Sequence, residues 1–119
     1  MTHFTSVRTV GIPVTDQDRA LDFYTKTLGF TLALDTPLPQ LGGRWIVVTA
    51  PGGGTSLALT PGAGSVDTGI RLATPDAAAA HQHLNDEQVS TSELLVWPGV
   101  PPMFNFQDPD GNTLYVSQD

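Results

Sequence analysis

The sequence predicts an α+β fold built from two tandem βαβββ modules, one over about residues 5–60 and the other over about 66–119. Three observations carry this expectation. Val10, Ile12 and Val14 alternate with Thr9, Gly11 and Pro13, which is the period of a half-buried strand. Only 14% of residues are charged while Gly (12) and Pro (10) are abundant, so short strands and tight turns are favoured over long solvated helices. Finally, the order of elements repeats. A shift of 58 residues lays Gly11-Ile12 on Gly69-Ile70, Val14 on Leu72 and Pro51 on Pro109.

In the first module, Pro13 donates no backbone hydrogen bond and so places the first strand at an edge or a bulge. Asp16 is a plausible N-cap. Ala20, Phe23, Tyr24 and Leu28 follow at helical spacing, and Gly29 supplies the residue that ends a helix over 17–28. Strands are expected over 30–35, 44–50 and 55–60, with Pro37-Leu38-Pro39 as a loop and Pro51-Gly52-Gly53-Gly54 as a turn. Pro61-Gly62-Ala63-Gly64-Ser65 reads as a short flexible joint.

The second module restarts with a strand over 67–73. Thr74 is placed to cap a helix that Pro75 opens and that runs through four alanines to about Leu84. Strand-like pieces follow over 89–97, 103–107 and 113–118. Asp108-Pro109-Asp110-Gly111-Asn112 marks a tight turn between the last two, since Gly and Asn tolerate positive φ.

At 119 residues the chain is expected to form a single domain, 1–119. With no cysteine it has no disulfide, thiolate metal site or Cys nucleophile. Five Lys+Arg against twelve Asp+Glu give a formal charge of −7. That surface repels phosphate backbones and anionic lipid, so no nucleic-acid or membrane partner is expected, and a cationic or neutral ligand is favoured. No run approaches 18 apolar residues, and Met1-Thr2-His3-Phe4-Thr5-Ser6 has neither a basic nor an apolar leader segment. A soluble, cytoplasmic protein is therefore expected.

Val10-Gly11-Ile12-Pro13-Val14-Thr15-Asp16, Ala20-Leu21-Asp22-Phe23-Tyr24, Leu28-Gly29-Phe30 and Phe106-Gln107-Asp108-Pro109-Asp110-Gly111-Asn112 give the chain a family likeness over nearly its whole length. It resembles the vicinal-oxygen-chelate superfamily, which includes glyoxalase I, extradiol dioxygenases, fosfomycin-resistance enzymes and bleomycin-resistance proteins. The resemblance implies curved sheets around a central cavity with the helices outside, and a homodimer. It also implies four inward strand positions that in the superfamily's enzymes hold a divalent metal through His, Glu or Gln. Here those positions fall on Thr9, Ala58, Asp67 and Tyr115. Imidazole and carboxylate oxygen or nitrogen are the usual donors to such ions, and only Asp67 belongs to that class. No metal and no other cofactor is expected. His81 and His83, two apart on a helix, diverge and cannot share an ion; they read as exposed imidazoles on the helix surface.

Strand alternation places Thr9, Gly11, Ala58, Asp67, Gly69, Arg71, Thr113 and Tyr115 opposite the helices. Trp45, Val47, Met103 and Asn105 are the corresponding residues of the third strand in each module. Asp67 and Arg71 either pair with each other or leave Arg71 to donate to a ligand carbonyl or acid. Trp97 opens Trp97-Pro98-Gly99-Val100-Pro101-Pro102, a stiff connection that also suits a pocket rim. Small residues flanked by flat aromatic walls suit a bulky planar ligand. The expected ligand-binding set is Thr9, Trp45, Val47, Ala58, Asp67, Arg71, Trp97, Met103, Asn105 and Tyr115. The expected function is metal-free sequestration of a bulky aromatic natural product or antibiotic. The alternative is a glyoxalase-like lyase, isomerase or dioxygenase with a non-standard site, in which Asp67 and Tyr115 would serve as base and acid.

Overall fold

The computed structural model describes residues 2–119, which divide into two units between Ala63 and Gly64, inside the Pro61–Ser65 joint. The first unit contains β1 (Thr9–Val14), α1 (Gln17–Asp22), β2 (Thr31–Leu38), β3 (Gly43–Thr49) and β4 (Ser56–Pro61). The second contains β5 (Asp67–Thr74), α2 (Ala77–Asp86), β6 (Met103–Gln107) and β7 (Thr113–Gln118).

In the first unit the sheet order is β1-β4-β3-β2, with β1 parallel to β4 and the other pairs antiparallel. Pro13 thus lies on an edge strand, where its missing N–H costs no ladder bond. Alternation does the rest. Ile12, Val14, Ile46, Val48, Leu57 and Leu59 are buried on the α1 side together with Ala20, Phe23 and Tyr24. Tyr24 is fully enclosed and meets Phe23 and Phe30 edge-on at 5.3 and 6.4 Å between ring centroids. Gln17 fastens the helix to the sheet: its amide nitrogen donates to the carbonyls of Arg44 (2.6 Å) and Leu59 (2.8 Å), and its oxygen accepts from Arg44 N–H (3.0 Å).

Two local expectations change in this unit. The regular α-helix stops at Asp22, and Phe23–Thr27 continues as a π-helical turn before Gly29, at φ +79°, closes it. Phe23 and Tyr24, at the start of this turn, are both buried. Pro37 and Leu38 are not loop but the end of β2. That strand is the other sheet edge, so a proline is tolerated there too.

The second unit has the order β5-β7-β6, with β5 parallel to β7 and β6 antiparallel to it. Phe104, Phe106, Leu114 and Val116 are buried, with Ala77 and Leu84 of α2 against β6 and β7. Asp76, not Thr74, caps α2 by accepting from Ala79 N–H at 3.0 Å; Thr74 Oγ1 instead accepts from Asp76 N–H at 3.3 Å. The expected strand over 89–97 does not form. Two isolated bridges, Thr91 to Phe106 and Leu95 to Met103, and hydrogen bonds from Ser92 N–H to Asn105 O (2.8 Å) and from Gln107 N–H to Ser90 O (2.9 Å) tie that stretch to β6. His81 helps to hold it: the ring makes a 2.8 Å hydrogen bond to Ser92 O and meets Phe104 edge-on at 4.9 Å. His81 is thus a packed side chain rather than the exposed one expected, whereas His83 is exposed.

The turn before β7 is buried and polar. Asp108 Oδ1 accepts from the N–H groups of Asp110 and Asn112, both at 2.9 Å, and Oδ2 accepts from the Asn112 amide at 3.0 Å. Asn112 Oδ1 accepts from Val66 N–H at 3.0 Å, joining the turn to the start of β5. Gly64, at φ +77°, lies where a Cβ would meet Asp110 O at 2.6 Å, so only glycine fits.

Candidate functional site

Each sheet has one face turned away from its helix, and the sequence-derived site residues other than Trp97 fall on those faces. In the first unit the register sets Gly11 beside Ala58 and Ala58 beside Val47, so Thr9, Gly11, Ala58, Val47 and Trp45 share one face. Trp45 and Val47 are half-buried, Ala58 is fully buried and Gly11 is exposed. Thr9 is engaged locally. Ser56 Oγ donates to Arg8 O (3.1 Å) and accepts from Thr9 Oγ1 at 2.8 Å.

In the second unit the pairs Asp67 with Thr113, Arg71 with Tyr115, and Asn105 with Tyr115 put these residues on one face, and Met103 joins them beside Ser117. The ladder between β5 and β7 is irregular between Asp67 and Arg71, and Gly69 within that bulge sits at φ +68°. Asp67 Oδ1 accepts from Gly69 N–H (3.2 Å), and Arg71 Nη1 donates to Gly69 O (2.7 Å). Tyr115 Oη donates to Asp67 Oδ2 at 2.8 Å. Arg71 lies over the Tyr115 ring, its guanidinium carbon 4.3 Å from the centroid, a contact worth about 0.5–1 kcal/mol at an exposed site.

The first alternative for Asp67 and Arg71 is therefore corrected. They do not pair; Tyr115 stands between them, taking the carboxylate at its hydroxyl and the guanidinium on its ring. The carboxylate acceptor, with some burial, raises the Tyr115 phenol above its usual value near 10, while Arg71 pulls it back in part. Trp97 is 58% exposed and lies on the connection between α2 and β6.

The four positions at which superfamily enzymes hold a metal do not suit one in this chain. Ala58 offers no donor, the Thr9 hydroxyl is bonded to Ser56, and the Tyr115 hydroxyl is spent on the carboxylate of Asp67. Among the described residues, no three His, Asp or Glu side chains converge as a metal site elsewhere. The first unit's helix-free face offers Trp45, Val47 and the small residues Gly11 and Ala58, and the second unit's offers the Tyr115 ring with Asp67, Arg71 and Asn105 as polar groups.

A strand-helix-strand-strand-strand unit followed by a second unit begun in the same way, each with a sheet face clear of its helix, defines a class of protein. The chain belongs to the glyoxalase/bleomycin resistance protein/dioxygenase superfamily, whose family model matches residues 3–116. Among solved structures it is similar to TnmS3, an antibiotic binding protein from Streptomyces sp. CB03234. The two are 34% identical over 99% of this chain and 98% of that one, with a TM-score of 0.87. It is also similar to a superfamily member from Sphaerobacter thermophilus DSM 20745, at 31% identity over 99% of this chain and 100% of that one and a TM-score of 0.88. An uncharacterized protein of Shewanella frigidimarina is 42% identical over 55 residues, which are 45% of this chain and 41% of that protein. The chain thus matches well under half the length of that relative.

The Asp67–Tyr115 bond joins residues 48 apart in sequence, and nothing local foretells it. The bulge was signalled by a glycine inside a strand pattern, Thr68-Gly69-Ile70. Ser56, the partner of Thr9, carries no sequence signal beyond being a small polar residue at a strand start.

Proposed function

We propose that the protein binds a bulky aromatic natural product or antibiotic and holds it unchanged, without a metal or other cofactor. The observation that carries this reading is the donor chemistry of the four metal positions: Ala58 has no donor, and the Thr9 and Tyr115 hydroxyls are bonded to Ser56 and Asp67. The similarity to an antibiotic binding protein at 34% identity over nearly the whole of both chains supports it. In the first unit Trp45 and Val47 supply apolar and stacking surface with Thr9 and Ala58 as small residues; in the second Met103, Trp97 and the Tyr115 ring supply such surface, with Asp67, Arg71 and Asn105 as orienting polar groups. We place the protein in the cytoplasm as a homodimer, and among the described residues no helix is long and apolar enough to cross a membrane. The charge of −7 argues against nucleic acid and anionic lipid as partners.

The test is a panel of DNA-damaging and quinone-type antibiotics added to chelator-dialysed protein. Saturable Trp quenching, a raised melting temperature and recovery of the compound intact by mass spectrometry are expected. Silence across the panel, or a need for added metal, overturns the reading. The hydrogen-bonded Asp67–Tyr115 pair favours a second reading, an enzyme using these groups as base and acid without a metal. Chemical conversion of a bound compound, lost in Tyr115→Phe, would establish it.

A further inference from the structure

The charge of the chain is divided unequally between its units. Residues 1–63 hold four Lys+Arg and four Asp, whereas residues 64–119 hold eight Asp+Glu and a single Arg or Lys, Arg71. Arg71 is nonetheless unpaired with any of those carboxylates. Among the described residues no acidic group lies within salt-bridge distance of its guanidinium, although Asp67 stands four residues away in the same strand. Tyr115 keeps the two apart. Its hydroxyl and the Gly69 N–H occupy Asp67, and its ring carries the guanidinium in a stack. One arm of Arg71 is fixed on Gly69 O at 2.7 Å, which sets the plane of the fork, and the residue is exposed.

A guanidinium that is stacked, oriented and denied a carboxylate partner has donors left over in a fixed geometry, and its natural complement is a planar pair of anionic oxygens. Resting on the function proposed above, we infer that Arg71 selects ligands carrying an ionised carboxylate on their aromatic system. This runs against the net charge of −7, which taken alone favours cations. Distance decides between the two effects. At physiological ionic strength the Debye length is about 8 Å, so most of the remote carboxylates are screened, while a contact ion pair with an oriented fork is not.

The experiment compares three probes of one shape by calorimetry: anthracene-9-carboxylate, its neutral 9-carboxamide and the cationic 9-methylammonium derivative. The carboxylate is expected to bind about tenfold more tightly than the amide, as one charge-assisted bidentate contact provides, with the ammonium weakest. Arg71→Gln should erase the advantage of the carboxylate over the amide, and Arg71→Lys should keep only part of it. Equal affinity for the three probes, or preference for the ammonium, overturns the inference while leaving ligand binding intact. An equal loss for all three in Arg71→Gln also overturns it, because that marks a structural role. Absence of binding by every probe and by the antibiotic panel removes the functional reading and this inference together.

Discussion

Tyr115 Oη and Asp67 Oδ2 lie 2.8 Å apart, so the residues standing at the third and fourth metal positions of the superfamily are bonded to each other. The sign of the coupling follows from charge. A carboxylate accepting the phenolic proton disfavours phenolate, and the phenol is raised from its usual value. Replacing Asp67 by Asn keeps an acceptor and removes the charge. In an absorbance titration at 295 nm, taken as the difference from Tyr115→Phe, Asp67→Asn should titrate at lower pH than the parent protein. Because the folded value is the raised one, the contribution of this bond is whole below about pH 10 and disappears as pH rises through the folded value. A Tyr115 that titrates unchanged in Asp67→Asn would show that the pair does not persist in solution.

Arg44 gives the opposite pH dependence. Its guanidinium bonds Asp18 of α1 at 2.7 Å and Asp35 of β2 at 3.0 Å, clasping helix and sheet edge from β3. The hydrogen bond from Arg44 holds the Asp35 carboxyl below its usual value against a smaller effect of desolvation. A depressed folded value means the stabilisation is present above about pH 4 and is lost as pH falls through the folded value. Arg44→Gln should therefore lower Tm near neutrality by a modest amount, given solvent screening, and the gap should narrow toward pH 2. A gap independent of pH would assign the effect to packing of the Arg44 stem instead.

Asp108 is expected to be the more costly deletion. It is 4% exposed and accepts three hydrogen bonds, from Asp110 N–H, Asn112 N–H and the Asn112 amide. Asp108→Ala strands those donors in the interior, at a cost of about 3 kcal/mol, and should lower the urea midpoint correspondingly. Asp108→Asn keeps an acceptor oxygen and should lose less. If the two variants are equally stable, the turn relaxes to water and is not the anchor between β5 and β7 that its geometry describes.

Much of this was legible in the sequence, for reasons that differ by element. Val10, Ile12 and Val14 against Gly11 and Pro13 announced both the strand and its two faces, because a period of two leaves no freedom once one face is buried. The same logic put Trp45 and Val47 on the face of Ala58, where Val47 pairs with it, and Met103 and Asn105 on the face of Tyr115, where Asn105 pairs with it. The stretch 89–97 failed because Val89, Leu94, Leu95 and Val96 are β-formers with few ladder partners; bridging and His81 settle its course instead. Propensity cannot foresee that outcome, since it belongs to tertiary contacts. The Phe23–Thr27 turn was hidden for a related reason: 3.6- and wider-period helices bury nearly the same set of residues over a single turn. Which residues share a sheet face was readable, but their pairings were not. Whether Arg71 met Asp67 or a ring depended on how the bulge at Gly69 turned the chain.

The two tryptophans check the expected binding residues of each unit separately, because one lies in each unit. Trp45 is half-buried on the helix-free face of the first sheet, and Trp97 is 58% exposed on the second unit's long connection. Without ligand, Trp45→Phe should leave emission that acrylamide quenches readily, and Trp97→Phe should leave emission that is better shielded. An aromatic ligand that contacts a tryptophan should quench the single-tryptophan protein that retains it, with the same dissociation constant as that protein's own calorimetric titration. Loss of one stacking partner should weaken binding by about two- to tenfold, in keeping with 0.5–1.5 kcal/mol for an aromatic pair. Quenching confined to the protein that retains Trp45 would remove Trp97 from the binding set. Quenching confined to the protein that retains Trp97 would move the ligand off the face formed by Trp45, Val47 and Ala58.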